Sequence, residues 1–228
     1  MKLVIAMIGE NLHGRILSNA LTTNNINHKC IIEKNTKRSI KRENWLSSAN
    51  YGPTIQSEKM IVDNIEDKKV REVYYNLDGF VINGGLPILK QEILCNFACK
   101  FLNVHPGLLP FYRGQNPVQW SVRNLSPIGA SVHFIDEGID TGPILLKKEL
   151  VNFKSKSIRN LRIEVLKFSA SLLVKYLKNP NKYPGTIQDP KIGHTYSAYF
   201  NGNAKEAEKR LAPLLKLYPM HKKSLSTL

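Results

Sequence analysis

The amino-acid sequence predicts an α/β fold, a mostly parallel sheet with helices on both faces, extended at its C-terminal end by a short hairpin and helix. Three observations predict it. Short, nearly continuous apolar runs such as Leu3-Val4-Ile5-Ala6-Met7-Ile8 and Phe80-Val81-Ile82 stop at glycine or asparagine, as strands buried on both faces do. Between the runs lie longer stretches with apolar residues at helical spacing. Polar residues follow several runs at the place where an open α/β sheet binds its ligands, the C-terminal ends of its strands.

In chain order, the first run stops at Gly9 and leads into a helix over about 12–22, a Rossmann-like opening. The turn between them has neither a Gly-x-Gly-x-x-Gly fingerprint nor a phosphate loop with Gly-Lys-Ser/Thr. Residues 28–32 form a second strand and 33–53 a long polar connection. A helix is expected over 57–70 with Ser57 as its N-cap, then a strand over 78–83 closed by Gly84-Gly85. Residues 87–94 suit a short helix, because proline in the first turn loses no hydrogen bond. A strand over 99–104, a helix over 115–124, and strands over 128–135 and 144–150 follow. Leu161, Val165, Phe168, Leu172 and Leu173 mark one face of a helix over 157–178 docked on the sheet. After Pro180 the Pro, Gly and Asn content rises; residues 185–200 suggest a hairpin and 204–217 a terminal helix. The expected division is a catalytic domain over 1–180 and a short extension over 181–228.

No apolar run approaches the ~18 residues of a membrane-spanning helix, and the first residues lack a signal peptide, so a cytoplasmic setting is expected. Cys30, Cys95 and Cys99 are too few and too irregularly spaced for a disulfide framework or a metal shell, so they are expected as reduced thiols with no metal site. The formal charge of +15 favours anionic ligands. Its densest cluster is Lys34, Lys37, Arg38, Lys41 and Arg42, which suits either a solvated loop or a contact to an anion.

The chemistry concentrates in two loops: Asn103-Val104-His105-Pro106-Gly107-Leu108-Leu109-Pro110, and Ile135-Asp136-Glu137-Gly138-Ile139-Asp140-Thr141-Gly142. Asn103 and His105 are two apart, so on an extended chain they face one side and can aim at one carbonyl oxygen. A carboxylate such as Asp140 can accept a proton nearby or raise the imidazole pKa, although Asp-Thr-Gly is also a good turn sequence. An amide, an imidazole and a carboxylate together suit acyl transfer to an amine, where an oxyanion needs donors and an ammonium must lose a proton. The other histidines have no such company. His133, inside an apolar strand, is expected to be a packed, hydrogen-bonded side chain.

At these residues the chain resembles the 10-formyltetrahydrofolate-dependent formyltransferases, with Gly107 where their pattern usually has serine. The similarity runs from Asp78 to Leu177. It implies that Asn103 and protonated His105 stabilise the oxyanion and that Asp140 takes the amine proton, with no covalent enzyme intermediate. It also implies that 10-formyltetrahydrofolate is the formyl donor, wrapped by Leu86, Pro87, Leu89 and Leu94 and by the backbone of Asp136, Glu137 and Gly138.

The flanks bear on the acceptor. Glycinamide ribonucleotide enzymes carry Gly-Ser-Asn after the first strand, whereas this chain has Gly9-Glu10-Asn11, and that branch is disfavoured. Methionyl-tRNA enzymes share the basic loop but add a C-terminal barrel, for which the residues after Pro180 are too few. Arg113-Gly114-Gln115-Asn116-Pro117 with Trp120, and a short aromatic extension containing Tyr196, Tyr199 and Phe200, resemble the sugar N-formyltransferases. A nucleotide-linked amino sugar is therefore the expected acceptor and a homodimer the expected assembly. Methionyl-tRNA, which would make nucleic acid a partner, remains the alternative. So does a basic, non-catalytic binding protein on the same scaffold.

Overall fold

The computed structural model of the protein describes residues 3–9, 12–33, 55–85, 89, 91–95, 97–198 and 201–224. Nine strands and six α-helices are described: β1 Val4–Gly9, α1 Leu12–Thr23, β2 His28–Glu33, β3 Lys59–Val62, α2 Lys68–Tyr75, β4 Phe80–Gly84, α3 Gln91–Cys95, β5 Lys100–His105, β6 Tyr112–Gly114, α4 Pro117–Arg123, β7 Gly129–Phe134, β8 Ile144–Glu149, α5 Ile158–Lys178, β9 His194–Tyr196 and α6 Asn201–Ser224. A short 3-10 turn, Pro180–Lys182, follows α5. Seven strands form one sheet in the order β3-β2-β1-β4-β5-β7-β8. The first five run parallel, and β7 and β8 add antiparallel.

Alternation along the central strands builds two cores. Val4, Ala6, Ile82 and Leu102 face one side, where α1 supplies Leu17 and Leu21 and α5 supplies Leu173 and Tyr176. Ile5, Val81 and Phe101 face the other side, against Val70 and Tyr74 of α2 and Ile93 of α3. Being covered on both faces, these strands carry the unbroken apolar runs by which the sequence revealed them. Ser157 caps α5, its hydroxyl accepting from the Asn160 N–H at 3.3 Å. Cys30 and Cys99 are buried free thiols, and burial pushes the Cys99 thiol up to about 11. No described helix is long and apolar enough to cross a membrane.

Three expectations need correction. The helix expected over 57–70 is instead strand β3, paired parallel to β2 from Cys30↔Lys59 to Glu33↔Val62, followed by a helix that starts only after Asp67. A non-local ladder decides this segment, and the Ser57 hydroxyl bonds Cys30 Sγ at 3.0 Å in place of capping. No hairpin forms among the described residues of 185–200. Thr186 makes an antiparallel bridge to Ile144, and β9 lies parallel to β6, a three-residue strand that the sequence did not reveal. Both stretches thus find partners earlier in the chain, at Ile144 and β6, in place of each other. The short helix begins at Gln91, and residues 86–88 and 90 lie outside the described residues, as do the Lys34–Arg42 cluster, Tyr199 and Phe200. The terminal helix does form, and Ala207, Leu211 and Leu214 pack with Val118 and Val122 of α4 and Leu161 of α5.

Candidate active site

The site is assembled at the C-terminal end of β5. There the sheet changes from parallel to antiparallel, so β5 has Asn83 of β4 opposite Asn103 on one side and His133 of β7 opposite it on the other. His105 ends the strand and is 3% exposed. The turn after it is pinned by Ser131, which donates to the Gly107 carbonyl at 2.9 Å and accepts from the Leu109 N–H at 3.0 Å. A side chain at Gly107 would have its Cβ 2.6 Å from Pro117 Cβ and 2.8 Å from His105 Nε2. The serine usual in the related pattern thus has no room here unless the imidazole or α4 moves.

Asp140, in the loop between β7 and β8 with φ of 55°, is the hub. Its Oδ1 accepts from Asn103 Nδ2 at 2.9 Å and lies 3.4 Å from His133 Nε2. Its Oδ2 accepts from the Gly114 N–H at 2.8 Å and lies 3.4 Å from His105 Nδ1. His133 Nδ1 donates to the Phe134 carbonyl at 2.7 Å. That fixes its tautomer and leaves Nε2 to accept the second Asn103 N–H at 3.2 Å. His105 Nε2 donates to the Tyr112 carbonyl at 2.6 Å, so both of its nitrogens face acceptors.

Burial alone would push the Asp140 carboxyl up. The His105 imidazole, His133 and the Gly114 N–H outweigh it and hold the group well below the usual carboxylate range. For His105 burial wins and lowers the imidazole, with His133 adding to the lowering while Asp140 and the Tyr112 carbonyl oppose it. His13, at the start of α1, is lowered to about 4 by burial and by the nearby charges of His105 and Arg162. Its Nε2 is sealed from solvent without a hydrogen-bond partner among the described residues.

The structure therefore brings together the three predicted residues, Asn103, His105 and Asp140, and adds His133, the Tyr112 carbonyl and the Gly114 N–H. His133 is packed and hydrogen-bonded as expected, but against the site itself. Only the antiparallel register of β5 and β7 reveals this.

Among the residues implied to wrap the formyl donor, Leu86 and Pro87 lie outside the described residues. Leu89 is 4% exposed and packs with Ile93 and Phe101, and Leu94 is partly buried beside them. The Asp136 carboxylate closes its own loop, accepting from the Thr141 hydroxyl at 2.7 Å and the Gly138 N–H at 3.2 Å. Gln91 donates to Glu137, joining α3 to the loop that carries Asp140, so the two implied segments lie side by side. A separate groove of about 640 Å³ between α1 and α5 is lined by Arg15, Lys167, Lys175 and Lys178 and, among the described residues, by no carboxylate or residue of this site.

Comparison with known proteins bears on the family and the fold. A family described as formyl transferase matches residues 1–177. A methionyl-tRNA formyltransferase of Thermodesulfovibrio yellowstonii is 35% identical over 131 residues, which are 57% of this chain and 42% of that protein. A solved sugar N-formyltransferase of Shewanella sp FDAARGOS_354 superposes with a TM-score of 0.64 at 19% identity, covering 92% of this chain and 87% of that one. The formyltransferase PseJ of Anoxybacillus kamchatkensis, solved with UDP-4,6-dideoxy-4-formamido-L-AltNAc and tetrahydrofolate, superposes with a TM-score of 0.54 at 23% identity, covering 95% and 93%.

Proposed function

Because the chain belongs to the formyl transferase family, we propose that it transfers a formyl group from 10-formyltetrahydrofolate to the amine of a nucleotide-linked amino sugar. The observation that carries the reading is the convergence of Asn103, His105 and Asp140, drawn from β5 and a loop 37 residues away, on one largely covered point. The donor, when bound, supplies an activated formyl group. The pairing of α3 with the 136–140 loop supports its binding there, beside the exposed Glu137, Gly138 and Ile139.

Asn103 and His105 supply N–H groups to the oxygen that gains charge as the amine attacks. Each such donor contributes about 2.7–4 kcal/mol in comparable oxyanion holes. The oxygen competes with His133 for the second Asn103 N–H and with the Tyr112 carbonyl for the His105 Nε2–H. Asn103 and the Gly114 N–H donate to the Asp140 carboxylate, and the two imidazoles lie 3.4 Å from it, so it is a weak base by itself. His105, kept neutral by burial, is the better proton acceptor, and Asp140 stabilises the imidazolium that results.

The acceptor rests on the Arg113 to Trp120 segment and on the likeness of nearly the whole chain to sugar N-formyltransferases. A methionyl-tRNA acceptor is the second reading, favoured by the more identical relatives, although the chain spans less than half the length of the one compared. Incubating the protein and 10-formyltetrahydrofolate with nucleotide-linked amino sugars, glycinamide ribonucleotide and methionyl-tRNA, while following folate release, decides between them. Formylation of an amino sugar alone is expected; transfer to methionyl-tRNA alone would promote the second reading, and no transfer to any amine would favour a binding protein.

A further inference from the structure

Asp140 is held at two levels, and only its carboxylate belongs to the chemistry above. Its backbone is in the left-handed region, φ 55°, a conformation that is strained for a non-glycine residue and persists only when neighbours over-determine it. The neighbour that does so is Gln188. Its Nε2 donates to the Asp140 carbonyl at 2.9 Å and to the Gly142 carbonyl at 2.7 Å, spanning the turn that follows Asp140. Its Oε1 accepts from both Nε and Nη2 of Arg113 at 3.1 Å. Gln188 is 8% exposed and Arg113 is 4% exposed, so the amide is inside the protein with both ends satisfied.

Arg113 cannot shift without disturbing the site. The residue before it, Tyr112, offers its carbonyl to His105, and the residue after it, Gly114, gives its N–H to Asp140. Backbone on both sides of Arg113 thus touches the reacting groups, while its side chain fixes the orientation of the Gln188 amide. Only an amide can accept two N–H groups at one end and donate two at the other, so glutamate, the same size, reverses the half that faces Asp140.

We propose that Gln188, oriented by Arg113, is a positioning residue that sets the aim of the Asp140 carboxylate at His105. The proposal rests on the formyl-transfer reading for its kinetic consequence but not for its structural one. Gln188→Glu keeps the volume and the contact to Arg113 and places an acceptor against two carbonyls. Its turnover should fall by about 10- to 100-fold, the usual result of displacing a catalytic group by an ångström or so, with KM for the formyl donor unchanged within about twofold. Arg113→Lys, a milder change that leaves Gln188 intact but able to rotate, should show the same pattern more weakly.

The second readout needs no activity: the His105 ring is titrated by NMR in the wild-type chain and in both variants, with thermal midpoints measured alongside. As the carboxylate turns away, the imidazole loses the negative charge that favours its proton, so its midpoint should move to lower pH in folded variants. Wild-type turnover together with an unmoved His105 midpoint would overturn the proposal. If the wild-type chain formylates nothing, the formyl-transfer reading fails separately, and the His105 midpoint alone decides: a downward shift supports the positioning role and no shift refutes it.

Discussion

At the residue scale, Asp140 and His105 divide one proton and one charge between them. The carboxylate is held ionised by the donors around it, and burial keeps the imidazole neutral until a proton arrives. On the proposed reading both contributions grow in the transition state, so Asp140→Asn and His105→Ala should each lower turnover by at least about a hundredfold and leave donor affinity largely intact. Single-turnover rates beside equilibrium folate binding will test this; near wild-type turnover in either variant removes that residue from the mechanism. His13 gives a prediction about stability. Its folded pKa of about 4 lies below the ordinary 6.5, so between those values the unfolded chain binds the extra proton. The His13 contribution is therefore whole above pH 6.5 and is lost as pH falls toward 4, by up to roughly 3 kcal/mol. His105 acts in the same direction, while Asp140, shifted down, loses its contribution only as pH falls below the ordinary carboxylate range. Urea midpoints at pH 7 and pH 4.5 should differ less in His13→Phe than in the wild-type chain, and an equal difference would refute the account.

At the scale of elements, α6 is the case where packing outranks local preference. Polar through most of its length, it is held through Ala207, Leu211 and Leu214 against α4 and α5, and Arg210 Nη1 donates to the Arg123 carbonyl at 3.0 Å. Leu211→Ala should cost about 2–5 kcal/mol, the range for a buried leucine that leaves a cavity. Because α4 follows the β6 strand that touches Asp140 and His105, the variant should also lose activity at temperatures where the wild-type chain keeps it. Denaturant unfolding monitored by Trp120, which lies on α4, reads both effects, and a loss under about 0.5 kcal/mol would mean that α6 is dispensable to the domain.

At the scale of the whole molecule, charge and exposed apolar surface point to different consequences. Lys175 and Lys178 sit in the last turn of α5, where cations offset the helix dipole, so part of the +15 charge has a structural use. Tyr196 stacks on Tyr112 with ring centroids 5.4 Å apart and also meets Trp120, so this expected dimer contact already has a partner within the chain. Exposed large apolar residues include Phe111, Ile187, which is 85% exposed, and Ile192. If a homodimer forms through this face, Ile187→Lys with Ile192→Lys should convert it to a monomer in sedimentation velocity. A wild-type chain that sediments as a monomer would refute the expected homodimer outright.

The sequence by itself determined strands β1, β2, β4 and β5, the helix over 157–178, and the two loops that carry Asn103, His105 and Asp140, because burial on both faces and loop chemistry leave local traces. The tertiary structure alone decided that Lys59–Val62 is a strand, that the segment after Gly185 pairs with β8 and β6, and that His133 and Gln188 hydrogen-bond to Asn103 and Asp140. Each of these depends on strand register or on a hydrogen bond between residues at least 29 positions apart, and such contacts are chosen by the free energy of the assembled fold, which no short window of sequence records.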